Sequence, residues 1–361
     1  MLSIALLSSE LTNSSLSTPS SLLLNMPLET SYSLDDKVIL ITGGTGSFGN
    51  KFVSLTLRKY TPRKIIVFSR DEMKQWIMAQ KFAHLTPLSF VIGDVRDFSS
   101  LRYAMQGVDC VVHAAATKIV PTAEYNPAEC IKTNIDGAMN VVNASRDASV
   151  PRVVALSTDK ASNPINLYGA TKLASDKLFI AANLPFGQQK TRYSVVRYGN
   201  VMGSRGSVIP FFRSLANTGC LPITDPRMTR FMISLDSAVE LVWHALCNML
   251  GGEIYVKKIP SMLVTDIAKA IAPDATQRII GIRPGEKIHE QMIGVEDATN
   301  TFSYPGHYKV LPVLDEVYKN NLYIQDGIPV GEDFQYRSDL NDDWMTPQSL
   351  REWLDSSDDH F

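Results

Sequence analysis

The chain is poor in cysteine. Four stand among 361 residues, Cys110, Cys130, Cys220 and Cys247, none spaced C-x-x-C and none within a Cys/His cluster. A disulfide framework and a zinc site are therefore not expected, and a reducing, cytoplasmic compartment is. A charge excess is lacking as well. The 35 Lys and Arg nearly balance the 37 Asp and Glu, and the basic residues are spread along the chain. A nucleic-acid surface would be basic, so that class of partner is set aside. No apolar run approaches the roughly 18 residues of a membrane span. No Lys or Arg precedes Lys37, whereas a secretory leader has a basic start and a mitochondrial transit peptide is rich in Arg. The Ser/Thr/Leu-rich segment 1–35 reads as a disordered tail.

From Asp36 a rhythm sets in. The runs "VILIT" (38–42), "KIIVFS" (64–69), "SFVIG" (89–93), "CVVHAAA" (110–116), "RVVALS" (152–157) and "YSVVRY" (193–198) are continuous and rich in Val and Ile. Such runs suit parallel strands covered on both faces. Helical stretches lie between them, among them 127–148, with Pro127 suited to a first turn. Alternating strands and helices give an α/β class with a doubly wound parallel sheet. After residue 200 Gly, Pro and Arg interrupt the pattern, and "GGEIYV" (251–256) returns one strand to the sheet. The division expected is a main domain of 36–200 plus about 232–258 and a smaller C-terminal lobe of about 201–231 plus 259–361.

"ITGGTGSFG" (41–49) follows a strand and opens a helix, with Gly43, Gly46 and Gly49 spaced G-x-x-G-x-x-G. The first glycine makes the tight turn and the second admits a pyrophosphate. The third packs the helix on the sheet, and the helix N-terminus faces the anion. The main domain is thus a dinucleotide-binding Rossmann domain. The second strand ends in Ser69 and Arg70, with Lys74 a turn on, where a diol-binding carboxylate is usual in NAD enzymes. A hydroxyl and two cations suit a 2′-phosphate, so NADP is expected. Asp71 stands for the diol alternative. Asp94 either holds the adenine edge or caps a helix.

In "STDKASNPINLYGATK" (157–172), Tyr168 and Lys172 stand four apart and share a helix face. A lysine beside a tyrosine lowers the phenol pKa and makes it a base. Asp159 and Lys160 are an acid and a base beside Thr158, unless they form a solvated turn. As a base, Lys160 would have to fall from about 10.4 toward neutrality, by burial and by cations such as Lys172 and Lys118.

The chain resembles the extended short-chain dehydrogenase/reductases. Within them it is similar to the inverting UDP-N-acetylglucosamine 4,6-dehydratases, from about Lys37 to Trp353. The resemblance rests on "TGGTGSFG", "SRDE", "GDVRD", "AEYNPAECIKTNI", "STDKA", "NLYGATKLASDKLF", "RYGNVMGSRGSV", "RMTRF" and "IRPGEKIHE". It implies oxidation at C4, loss of water across C5–C6 and hydride return to C6, with NADP tightly held and recycled. Tyr168 would take the C4 hydroxyl proton and Thr158 would bind the C4 oxygen. Lys160 would take the C5 proton and Asp159 would protonate the departing C6 hydroxyl, with Lys172 completing the catalytic set.

The resemblance also implies cofactor contacts. From the loop come Gly43, Thr45, Gly46, Ser47, Phe48 and Gly49; from farther on come Ser69, Arg70, Lys74, Asp94 and Val95. Ala114, Lys118, Tyr168, Lys172 and Val201 complete them. Nucleotide-sugar contacts would come from Lys118, Thr158, Asn200, Arg205, Arg283 and Glu286, in the smaller lobe and its border. Glu286 would pair with Arg283 or hold a hydroxyl. The implied setting is a homo-oligomer, a hexamer, making a precursor of pseudaminic acid or a related surface sugar, with no metal.

Two positions depart from the family: Ile119 stands where His is usual, and Met232 where Trp is usual. Asn134 reads as a structural hydrogen-bonder and His113 as a core residue. Two other readings stand beside the dehydratase. One is an epimerase or ketoreductase using Thr158, Tyr168 and Lys172 alone; the other is a non-enzymatic NADP-binding redox sensor.

Overall fold

Six of the apolar runs become parallel strands: β1 (Val38–Thr42), β2 (Lys64–Ser69), β3 (Leu88–Ile92), β4 (Cys110–His113), β5 (Arg152–Thr158) and β6 (Arg192–Tyr198). This computed structural model describes residues 32–83, 87–184, 190–204, 206–313 and 321–356. The strands lie in the order β3-β2-β1-β4-β5-β6, and Ile254–Lys257 adds a further parallel strand beside β6. Ile39, Leu40 and Ile41 are wholly buried, as a strand covered on both faces requires. The order reverses between β1 and β4. A crevice opens there at the carboxyl ends of the strands, where ligands bind in such sheets.

Differences from the sequence reading have local causes. Most of the expected tail, 1–31, lies outside the described residues. The last part of it, 32–35, is packed: Leu34 is wholly buried and the Tyr32 ring lies 4.0 Å under the Arg152 guanidinium. β4 ends at His113, leaving Ala114–Ala116 to line the crevice. The strand near 251 starts only at Ile254, because Gly251 and Gly252 turn the chain with φ of 109° and 94°. The helix expected over 127–148 is three pieces: Pro127–Ile131, a wider π turn over Lys132–Asp136, and Gly137–Asp147. Pro127 does occupy its first turn.

A second hydrophobic core gathers Met202, Phe212, Leu221, Met262 and Leu350 from both segments of the expected smaller lobe, together with Met232 from the border of the expected main domain. Not all of 259–361 belongs with it. Thr301–Tyr304, His307–Val310 and Ile328–Pro329 extend the large sheet as antiparallel strands. The first two form a hairpin closed by Pro305 and Gly306, the latter at φ 77°. Met292, Ile293 and Tyr336 pack into the main core. Among the described residues no helix is long and apolar enough to cross a membrane.

Candidate active site

The crevice is a cleft of about 1170 Å³. Every site residue expected from the sequence lines it except Arg205, which lies outside the described residues.

At one end the loop after β1 turns at Gly43, whose φ is 64°. A Cβ there would stand 2.8 Å from the Ala115 backbone, and one on Gly49 would strike the Gly44 carbonyl. The third glycine therefore packs the helix Ser47–Lys59 onto the loop itself rather than onto the sheet. Gly46 caps that helix without a side-chain bond, and its first turn holds no acidic residue. An uncompensated helix N-terminus behind a glycine turn fits a dinucleotide pyrophosphate.

Beyond β2, Asp71 caps the helix Glu72–Lys81 by accepting from the Lys74 amide at 2.9 Å. Its carboxylate also pairs with the Lys74 ammonium. Both bonds hold Asp71 below the usual carboxylate range. The residue that spoke for a ribose diol is thus engaged, and so is one of the two expected cations. Arg70 remains, exposed at the rim and 3.9 Å from Asp94. The Ser69 hydroxyl accepts from Gln75 Nε2 at 3.1 Å. Asp94 is not a helix cap. Asp97 has that place, accepting from Ser99 and Ser100, while Asp94 Oδ2 accepts from Arg96 Nη2 at 2.6 Å.

The acid–base groups cluster where β5 ends. Thr158 closes the strand opposite Tyr198 of β6, and Asp159–Ala161 form one 3₁₀ turn. The helix Leu167–Ala181 crosses this turn closely because residue 169 is glycine; a Cβ there would come within 2.2 Å of the Lys160 carbonyl. Asn166 caps the helix, accepting from the Gly169 amide at 2.8 Å. That approach brings Tyr168 beside Thr158, whose side chain pulls its phenol pKa downward. Thr158 Oγ1 donates to Asp159 Oδ1 at 2.9 Å, and Lys160 Nζ donates to the same oxygen at 3.0 Å. Asp159 is wholly buried, and its Oδ2 has no partner among the described residues. The pair is not a solvated turn.

Two electrostatic expectations are corrected. Burial would push the Lys160 ammonium down, but the Asp159 and Glu290 carboxylates outweigh it and hold its pKa above the ordinary lysine value. Glu290 Oε1 lies 3.1 Å from Lys160 Nζ. The cations acting on Lys160 are Arg230 and Lys287 rather than the expected Lys118 and Lys172. Tyr168 is pushed up to about 12 by burial, against the pull of Lys160 and the Thr158 side chain. Lys172 is itself lowered by burial, with Asp176 acting the other way. Burial also raises Asp159, with Lys160 opposing it and Glu290 adding to it.

Elsewhere along the cleft, Arg283 Nε stands 3.6 Å from Glu286 Oε1. Glu286 Oε2 and Asn200 Oδ1 are buried without partners among the described residues, two acceptors left for a ligand. Ile119 is exposed at the lip, whereas Met232 is buried in the second core and does not line the cleft. Asn134 exchanges two hydrogen bonds with the Thr117 backbone and donates to Thr171. His113 is buried against Thr42 Oγ1 at 2.8 Å and pushed down to about 3 by burial. Sequence reasoning missed Glu290, Arg230 and Lys287, which complete the cluster from strands and turns far along the chain. The available signals were the Lys and the last Glu of "IRPGEKIHE" and the second Arg of "RMTRF".

Comparison with known proteins shows the family and the fold. The family profile described as polysaccharide biosynthesis protein matches residues 39–312. A UDP-N-acetylglucosamine 4,6-dehydratase (inverting) of Campylobacter jejuni subsp. jejuni serotype O:2 is 52% identical over 329 residues, covering 89% of this chain and 98% of its own. A UDP-glucose 4-epimerase of Rickettsia akari is 45% identical over 284 residues, covering 76% and 83%. The structure of DesIV, a dTDP-glucose 4,6-dehydratase from Streptomyces venezuelae with NAD and TYD bound, superposes with a TM-score of 0.64. It is 25% identical and covers 70% of this chain and 86% of its own.

Proposed function

The chain belongs to the polysaccharide biosynthesis protein family, in its inverting 4,6-dehydratase branch of the extended short-chain dehydrogenase/reductases, and from that premise we propose that it dehydrates UDP-N-acetylglucosamine across C5 and C6 with inversion at C5. One observation carries the reading. Oxidation and reduction at C4 need Thr158, Tyr168 and Lys172, yet the cleft holds a second acid–base set, Asp159, Lys160 and Glu290, in direct contact. Two proton transfers at neighbouring carbons call for such a set.

NADP would be held by the glycine loop and by Arg70, and when bound it would supply hydride acceptance at C4 and hydride donation at C6. Tyr168 receives the C4 hydroxyl proton as its phenolate, which a pKa near 12 makes the minor form and a strong base. The Thr158 hydroxyl orients the C4 oxygen. The C4 ketone acidifies C5–H; Lys160 takes that proton and Asp159 gives one to the leaving C6 oxygen. Lys118, Asn200, Arg283 and Glu286 hold the nucleotide sugar, Arg283 offering a planar fork to phosphate. Family membership supports a cytoplasmic homo-oligomer acting early in the making of pseudaminic acid or a related surface sugar.

A plain 4-epimerase is the second reading, favoured by the Rickettsia akari relative. It would need neither Asp159 nor Lys160. Lys160→Met separates the two: dehydration should fall about 10²- to 10⁴-fold, as for loss of a general base. Turnover of a UDP-sugar close to wild type would instead favour the epimerase.

A further inference from the structure

We propose that Glu290 is a positioning residue which sets the protonation of the Asp159–Lys160 pair, so that elimination runs from a neutral amine and a neutral carboxylic acid. This rests on the dehydration reading above and adds a residue to it.

The geometry is one ammonium between two carboxylates. Lys160 Nζ lies 3.0 Å from Asp159 Oδ1 and 3.1 Å from Glu290 Oε1. The two carboxylates are not equivalent. Glu290 also faces Arg230, whose Nε is 3.6 Å from the same oxygen. A guanidinium keeps its charge at any working pH, so Glu290 keeps a counter-ion whatever Lys160 does. Arg230 is held in turn by the Thr229 and Ile288 carbonyls, to which Nη1 donates at 2.7 and 3.1 Å. The Glu290 amide donates to Ser338 Oγ at 2.9 Å, which fixes the residue from the C-terminal segment. Among the described residues Asp159 forms an ion pair with Lys160 alone, Lys287 acting on it only from beyond ion-pair distance. When Lys160 gives up a proton, Asp159 is therefore the carboxylate that takes it, along the hydrogen bond already formed.

The proton count closes. Transfer from Lys160 Nζ to Asp159 Oδ1 leaves an amine and a carboxylic acid. The C5–H bond then breaks, its proton goes to Lys160 Nζ, and its electron pair forms the C5–C6 double bond. The C6–O bond breaks, and the oxygen takes the Asp159 proton and leaves as water. The ammonium–carboxylate pair is restored, and Glu290 neither gains nor loses a proton. Its negative charge raises the proton affinity of both partners, so it sets the pH range over which the pair holds the single proton that the step needs. The other groups facing the pair are Tyr168 from the helix Leu167–Ala181, Arg230 from the strand Thr229–Ile233, and Lys287 beside Glu290, with Lys172 one turn beyond Tyr168.

The test compares pH–rate profiles of dehydration for wild type, E290Q and E290D, with the Lys160 ammonium titrated by ¹⁵N NMR in each. In E290Q the acid and basic limbs and the Lys160 titration should all move to lower pH by about one unit or more, the usual effect of a charge at this distance. The KM for the UDP-sugar should stay within about twofold, since Glu290 acts through the pair. E290D keeps the charge but draws it back, so its limbs should move the same way by less, which also covers a poorly folded E290Q. A uniform loss of kcat with limbs and titration unmoved would overturn the role of Glu290. Titrations that move as expected in a protein that dehydrates no UDP-sugar would instead overturn the dehydration reading.

Discussion

The chemistry at Thr158, Asp159 and Lys160 turns on which of them hold protons. Buried Asp159 tends to keep its proton, and Glu290 adds to that tendency, which suits a group that must protonate a leaving hydroxyl. Asp159→Asn should cut water loss about 10²- to 10⁴-fold. C4 oxidation needs no Asp159, so the first-turnover rise in reduced-nicotinamide absorbance should persist. At the other end of the cleft, Arg70→Ala should weaken NADP binding about tenfold or more, as for loss of a charge-assisted bond, and leave NAD binding unchanged in a titration. An acid next to a base was legible in "STDK", because adjacency in sequence is adjacency in space. Their charge state was not, since it depends on Glu290 and Arg230, which only the folded chain brings there. The engagement of Asp71 was hidden for a similar reason: its role as a helix cap depends on where the next helix starts.

Among the elements, the contact between the turn Asp159–Ala161 and the helix Leu167–Ala181 holds the site together. Gly169→Ala would place a methyl within 2.2 Å of the Lys160 carbonyl. The cost expected is about 1–3 kcal/mol of overpacking, measured by urea unfolding. Activity should fall further than stability, because the same shift parts Tyr168 from Thr158. Strand positions were readable because buried parallel strands are continuous apolar runs. Their ends were less so. β4 stops at His113 although the run continues through Ala116, because those alanines leave the sheet for the crevice wall. The π turn at Lys132–Asp136 has no mark in the apolar period, since Asn134 is placed there by hydrogen bonds to Thr117 and Thr171.

Across the whole molecule, the main sheet and the C-terminal segment meet under the site. Arg197 and Asp176 form an ion pair of 3.2 Å, both about 2% exposed, and Arg197 Nη1 donates to the Met292 carbonyl at 2.7 Å. Arg197→Met should cost about 3–5 kcal/mol in unfolding free energy, because Asp176 would be left charged and buried. A second whole-molecule effect is acid sensitivity. His113 has a folded pKa of about 3 against 6.5 unfolded. Its contribution is full above pH 6.5 and is lost progressively as pH falls to about 3, where the unfolded chain binds the proton first. Urea unfolding followed against pH should show a flatter acid limb in His113→Gln. The change of rhythm after residue 200 marks where residues of the second hydrophobic core begin. The return of Thr301–Tyr304 and His307–Val310 to the large sheet was not legible, because these antiparallel strands are four residues each and lie among loops. The central claim, dehydration with inversion at C5, is tested most directly by incubating the protein with UDP-N-acetylglucosamine and NADP in deuterated water and following the sugar by NMR and mass spectrometry. Loss of water with deuterium at C5 and an inverted C5 is the result expected. A sugar that keeps its water, or loses it with C5 retained, would contradict the account.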